Sequence, residues 1–158
     1  MGHMPELPTL RPVHLAPLMT ISAEIGAMVE VSGTRRYIPI TGGAFTTRDG
    51  LRGVVLPGGA DWQVVRPDGA LEIEAHYALR TDAGDGIEVH SSGLRNITPE
   101  LAARVAVGDD VDPGLYYFRT AIRMTTAAPA LGHLDKMLAI ATARRDRSAV
   151  LLDVHEVL

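Results

Sequence analysis

The feature that most constrains this chain is a period of two. From Leu71 to Arg80, Leu71, Ile73, Ala75, Tyr77 and Leu79 fall on one side. Glu72, Glu74, His76, Ala78 and Arg80 fall on the other, as in a strand with one apolar face. Asp82-Ala83-Gly84-Asp85-Gly86 then turns the chain, and Ile87, Val89 and Ser91 alternate with Glu88, His90 and Ser92. Two such runs joined by a glycine-rich turn form a long antiparallel hairpin.

The same rhythm extends to both sides. Leu18 to Val31 alternates Met19, Ile21, Ala23 and Ile25 with Thr20, Ser22 and Glu24, and reads as a strand bent at Gly26. Thr34 to Ile40 opens the next strand. Ile38 to Trp62 holds six glycines between short apolar runs, which predicts strongly curved strands rather than helix. Arg48-Asp49-Gly50 and Pro67-Asp68-Gly69 are turns, with strands at Leu51–Leu56 and Asp61–Val65. Further on, Tyr116 to Met124 places Tyr116, Phe118 and Thr120 opposite Tyr117, Arg119 and Ala121, and Ala149 to Val157 is the closing strand. One short helix is expected from Pro99, capped by Thr98. His133 to Ala143 reads either as helix, from Leu134, Met137, Leu138 and Ala141, or as a strand around Leu138–Ala141. Evenly spaced strand seeds with one or two short helices predict an all-β antiparallel barrel or sandwich. A barrel has the advantage of leaving no unpaired edge. Residues 1–12, a tag-like Met1-Gly2-His3-Met4 and a proline-rich arm, precede a single domain over 13–158.

Composition narrows the chemistry. With a formal charge of −4, and basic residues clustered only at Arg144-Arg145 and Arg147, nucleic acid is not an expected partner. The chain has no cysteine, which excludes disulfides, thiolate nucleophiles and Cys-ligated metals. No apolar run approaches the ~18 residues of a membrane helix, so no membrane partner is expected and a cytoplasmic protein is the simplest reading. There is neither a G-x-S-x-G elbow nor a phosphate-cradling glycine loop, so no cofactor is expected.

Several residues are candidates for chemistry. Asp61 beside Trp62 sets an acid against an indole, which can raise a carboxyl pKa into the useful range; alternatively Asp61 caps a turn and Trp62 fills the core. His76 and His90, near Glu74 and Glu88, can be drawn as a metal site, but no compact His/Glu motif is present and no metal is expected. His76 reads better as an acid–base group. Arg119, between Phe118 and Thr120 and close to Tyr117, can steady developing negative charge or pair structurally with Asp61 or Glu74. His133 and Asp135 offer an alternative imidazole–carboxylate pair.

Several stretches carry a resemblance, Asp68-Gly69 through Tyr77 and the Gly86-Ile87 strand among them. Arg36-Tyr37-Ile38-Pro39-Ile40-Thr41-Gly42-Gly43 followed by Gly53 to Gln63, and Asp112-Pro113 leading into Tyr116-Tyr117-Phe118-Arg119-Thr120, resemble the DUF3237 (UPF0311) family. The resemblance covers Val13 to the C-terminus. It implies a lipocalin-like or allene-oxide-cyclase-like barrel around a cavity, with Asp61, Trp62, Tyr117 and Arg119 at positions the family usually keeps. It also marks departures. Where relatives resembling this chain tend to carry arginine, it has His76. Met124 stands near a usual Phe, and Leu131-Gly132-His133-Leu134-Asp135 replaces a Tyr-x-Trp-Leu-Asn run.

These readings converge on a cofactor-independent cyclase, isomerase or lyase acting on a small apolar oxygenated molecule, polyketide- or terpenoid-like. Asp61, His76, Arg119, His133 and Asp135 are the expected catalytic groups, and Trp62, Glu74, Tyr117, Met124 and Leu131 the expected substrate contacts. The alternatives are a non-catalytic binding barrel, a hydrolase using an activated water, and a structural protein. A homodimer is the expected assembly.

Overall fold

The alternation seen along the sequence becomes the wall of a closed barrel. A computed structural model describes residues 1–158. Its strands are β1 (Leu15–Ile25), β2 (Val29–Ser32), β3 (Arg35–Thr47), β4 (Arg52–Val55), β5 (Gly59–Val65), β6 (Leu71–Thr81), β7 (Gly86–Asn96), β8 (Tyr117–Thr125), β9 (Ala139–Arg145) and β10 (Ala149–Val157). One helix, α1 (Pro99–Ala106), follows β7. All pairings are antiparallel. Because β1 pairs with β10 on one side and β3 on the other, the sheet runs full circle. β4 and β5 lie end to end in one position between β3 and β6, so eight positions make up the circle. β2 stands outside it as a short hairpin arm on β3.

Each strand sends alternate side chains inward, and the two ends of the barrel differ. At one end Leu18, Phe45, Leu79, Ile87, Met124 and Val154 are buried in one cluster with Leu134 of the 3₁₀ segment Pro129–Lys136. Burying side chains of this size stabilises the fold by about 1.5–3 kcal/mol each. The opposite end is polar: Arg36 and Gln63, directly paired between β3 and β5, share a cleft with Arg95 at the end of β7 and Arg145 at the end of β9. α1 lies against this end through Ala102, Val105 and Ala106. Its start is defined by Thr98, whose Oγ1 accepts from the Leu101 amide at 3.3 Å, and by Pro99 in the first turn.

Two glycines allow close approaches that no other residue could. Gly43 has φ +130°, and a Cβ there would stand 2.0 Å from the Ser22 carbonyl oxygen across the β1–β3 pair. Gly59 lets β5 lie tight on β6: a Cβ would meet Tyr77 Cβ at 2.6 Å and the His76 oxygen at 2.7 Å. Asp61 follows two residues later on the inward side, which brings it to the same cavity as Tyr77.

Two local expectations change. The strand expected over Leu18–Val31 is two strands, because the chain leaves β1 after Ile25 and restarts as β2 at Val29. The ambiguous run after Pro129 is 3₁₀ as far as Lys136 and then β9, whose Ala139, Ala141 and Ala143 point into the barrel. Residues 1–13 are exposed and carry no strand or helix.

Candidate ligand site

Between the apolar plug and the polar mouth the barrel encloses a cavity of about 40 Å³. Its walls are mainly apolar, from Ala23, Ile40, Ile73, Ala75, Phe118 and Leu152, with Asp61, Tyr77, Ser91 and Thr120 adding oxygen atoms. The cavity can take a small apolar group. It has room for roughly two or three water-sized groups, so it accepts the end of an organic molecule rather than a folded polyketide or terpenoid. Tyr77 and Phe118 occupy the space a wider barrel would leave open.

The polar atoms around this cavity are poorly partnered. Asp61 Oδ1, Tyr77 Oη and Thr120 Oγ1 are buried and make no hydrogen bond. Only the other Asp61 oxygen, Oδ2, is engaged, accepting from Gln63 Nε2 at 2.9 Å. Gln63 Oε1 in turn accepts from Arg36 Nε at 2.8 Å, so a single amide links the interior acid to the mouth. Burial pushes the Asp61 carboxyl up to about 6, outweighing the Gln63 hydrogen bond and the charges of Arg95, Arg145 and Arg36, which pull it down. Burial, and then the Asp61 charge, raise the Tyr77 phenol. Asp61 can therefore exchange a proton near neutrality, while Tyr77 stays a neutral donor.

The mouth forms a separate cleft of about 190 Å³, lined by Arg36, Arg95, Arg145 and Gln63 together with α1. Burial and the neighbouring guanidinium charges lower the Arg95 guanidinium. Arg145 is lowered chiefly by burial.

Of the residues singled out from sequence, Asp61 alone borders the inner cavity. Trp62 points outward, its ring 4.8 Å from that of Tyr37 and with Arg35 above it at 5.6 Å. Arg119 and Tyr117 are on the outer face too: the guanidinium sits 5.2 Å over the Tyr117 ring and donates to the Phe118 carbonyl at 2.9 Å. Glu74 accepts from Ser92 Oγ at 3.0 Å on the exterior. His76 and His90 stack 4.1 Å apart outside the barrel, with their Nε2 atoms 2.7 and 3.0 Å from Glu88 Oε1. Those hydrogen bonds hold the Glu88 carboxyl below its usual range. His76, Glu88 and His90 are the group whose donor atoms, all within 4.8 Å, could share a metal ion, on the outer face of the strands whose Ala75, Tyr77 and Ser91 line the cavity. His133 is exposed, and Asp135 accepts from the Thr126 amide at 2.9 Å, fastening the 3₁₀ segment to the end of β8. Met124 and Leu131 belong to the plugged end. The expected catalytic set is therefore dispersed: strand parity puts His76 and Arg119 outside, and the closed end keeps His133 and Asp135 away from Asp61.

Sequence reasoning missed Tyr77, Ser91 and Thr120 as cavity oxygens and Arg36, Gln63, Arg95 and Arg145 as the mouth. A signal existed. Arg95 continues the inward series Ile87, Val89, Ser91, Gly93, and Arg145 continues Ala139, Ala141, Ala143. A charged residue at an apolar parity, at the end of its strand, marks a barrel mouth.

Comparisons with known proteins agree with this architecture. A family described as protein of unknown function, DUF3237, matches residues 13–157. A UPF0311 protein from Rhodopseudomonas palustris strain TIE-1 is 41% identical over 145 residues, covering 89% of this chain and 94% of its own. The crystal structure of a conserved protein of unknown function from Rhodopseudomonas palustris is similar with TM-score 0.88 at 38% identity, covering 95% of this chain and 100% of the other. An enzyme from Penicillium herquei shares the fold at 18% identity, TM-score 0.70, covering 98% and 100% of the two chains.

Proposed function

We propose, for a chain that belongs to the DUF3237 family, that the barrel binds a small organic molecule whose narrow, oxygenated end enters the interior beside Asp61. One observation carries this reading. Asp61 Oδ1, Tyr77 Oη and Thr120 Oγ1 are left without partners around an otherwise apolar cavity. An orphaned buried polar atom costs about 1–3 kcal/mol, and a ligand oxygen that satisfies several at once recovers part of that. The apolar walls would supply affinity and the oxygens orientation. The test is a nitrogen-15 NMR titration with benzyl alcohol and with cyclohexanone. Amide shifts are expected at Ala75, Tyr77, Ser91 and Thr120, and should vanish in Ala75→Phe, which fills the cavity. Shifts confined to the outer face around Tyr117 and Arg119 would sink the reading.

A second reading, acid–base catalysis on the bound molecule, draws support from the pKa of about 6 at Asp61. In it the Asp61 carboxylate takes the proton α to a ligand carbonyl. The C–H pair moves into the enolate, Tyr77 donates a hydrogen bond to the enolate oxygen, the protonated Asp61 exchanges with solvent, and it then returns a solvent-derived proton to carbon. Cyclohexanone in heavy water needs no knowledge of the natural substrate. Deuterium should enter its α position faster with the protein than without, with a rate that rises through about pH 6 and disappears in Asp61→Asn. An unchanged rate in Asp61→Asn leaves binding alone.

A further inference from the structure

Building on the reading that the barrel interior receives a small molecule, we propose that this molecule is an organic anion, its carboxylate or similar oxyanion held at the barrel mouth by Arg36, Arg95 and Arg145. The three side chains come from three separate strands and open on one cleft with Gln63. None has a carboxylate partner. The arginine ion pairs of this acidic chain lie elsewhere, at Arg66–Asp68, Arg104–Asp109 and Arg144 with Asp110 and Asp146.

What the three guanidinium groups do touch is neutral. Arg36 Nε donates to Gln63 at 2.8 Å, and Arg145 Nε donates to the Asp146 carbonyl at 2.8 Å. Arg95 Nε is buried with no partner at all. Three like charges gathered in a partly buried cleft repel one another more than they would in water, and the one carboxylate that offsets them, Asp61, acts from inside the barrel without pairing with any of the three. A solvated arginine face would splay its charges apart. Here inward strand positions point them together.

The donor geometry selects the ligand. A guanidinium presents a planar fork that matches a carboxylate or another oxyanion in two parallel hydrogen bonds. The mouth also leads inward, because Gln63 bonds Arg36 on one side and Asp61 on the other. With its anionic head on the arginines, a ligand directs its far end, apolar but for the oxygen that meets Asp61 and Tyr77, into the cavity. That orientation explains why the barrel is polar at one end and plugged with hydrocarbon at the other.

Three probes separate the parts of the proposal at pH 7.5 and constant ionic strength: benzoate, benzyl alcohol and inorganic sulfate. Binding is read by titration calorimetry and melting temperature. Benzoate is expected to bind at least about tenfold more tightly than benzyl alcohol, and sulfate to bind and compete with it. Arg36→Gln and Arg95→Gln should each weaken benzoate and sulfate about tenfold, with benzyl alcohol unaffected. The melting temperature of either ligand-free variant should be equal or higher, because a like charge has been removed. Arg95→Lys, which keeps the charge and loses the fork, should weaken benzoate by less than Arg95→Gln and guards against a variant that fails to fold. Should benzoate bind no better than benzyl alcohol and ignore the arginine variants, the anion site is refuted while the interior reading stands. If both anions need the arginines but benzoate is indifferent to Ala75→Phe, the anion site holds and the interior reading falls. Absence of binding by all three probes overturns both.

Discussion

Asp61→Asn tests the central electrostatic statement about the interior. The parent carboxyl moves from 3.8 in an ordinary setting to about 6 in the barrel. At about 1.4 kcal/mol per pH unit, that difference corresponds to about 3 kcal/mol. Its sign follows from which state holds the proton. Folding raises the proton affinity of Asp61, so no penalty exists below pH 3.8, and stability is lost as pH rises through about 6. Asparagine cannot ionise, and its Oδ1 still accepts from Gln63. The variant should therefore match the parent, or fall slightly below it, at pH 4, and exceed it by up to about 3 kcal/mol at pH 7, about 6–12 °C in melting temperature. Urea denaturation of both proteins at pH 4, 5, 6 and 7 measures the difference. Taking the difference also removes Glu88 and Asp49, whose lowered carboxyls bias the parent curve the opposite way at acid pH. A variant-minus-parent stability that stays flat across this range would refute a buried, reluctantly ionised Asp61.

Three shorter predictions bear on the same architecture. Tyr77→Phe removes a buried hydroxyl that has no partner, so stability should hold or rise by about 1 kcal/mol in chemical denaturation, while cyclohexanone binding weakens. Gly59→Ala forces a Cβ to 2.6 Å from Tyr77 Cβ and should cost about 1–3 kcal/mol, with displaced Tyr77 resonances in the NMR spectrum. His76→Ala and Arg119→Ala alter only the outer surface, so their melting temperatures and their benzyl alcohol titrations should coincide with the parent; a lost titration in either would mean that the ligand sits outside the barrel.

The fold was legible because its rule is short-range. Alternation along Leu71–Arg80, turn chemistry at Pro67-Asp68-Gly69, and the Thr98–Pro99 helix start each depend on a few neighbouring residues, and each survives in the structure. Closure also followed from the number of strands and the cost of bare edges. The site was far less legible, since it depends on which parity faces inward. The charged side of Leu71–Arg80, with His76 on it, suits a polar cavity as well as solvent, and histidines and carboxylates attract a catalytic reading wherever they gather. Asp61 stands out in the sequence for the indole beside it, yet Trp62 points outward and burial in the barrel is what raises the carboxyl. Arg95 and Arg145 do not stand out, because a long charged side chain at a strand end ordinarily belongs to solvent. Only the circular order of strands brings residues 36, 95 and 145 to one opening, and no local pattern contains that order.

The seam between β1 and β10 has a consequence for how the molecule reaches this state. Leu15 lies opposite Val157, so the last ladder joins residues from the two extremes of the chain. Until it zips, β1 and β10 are raw edges on an open, curved sheet whose apolar lining faces water. Loop closure over so long a span is entropically slow, and topologies of this kind fold in milliseconds to seconds rather than microseconds. During that interval the half-built sheet can recruit a second copy along either edge, which makes assembly yield a race between cyclisation and aggregation. A circular permutant that covalently bridges the seam and opens instead at the exposed Asp68-Gly69 turn would make β1–β10 a local hairpin and move the last ladder to β5–β6. The pairing that forms last in refolding should move with it.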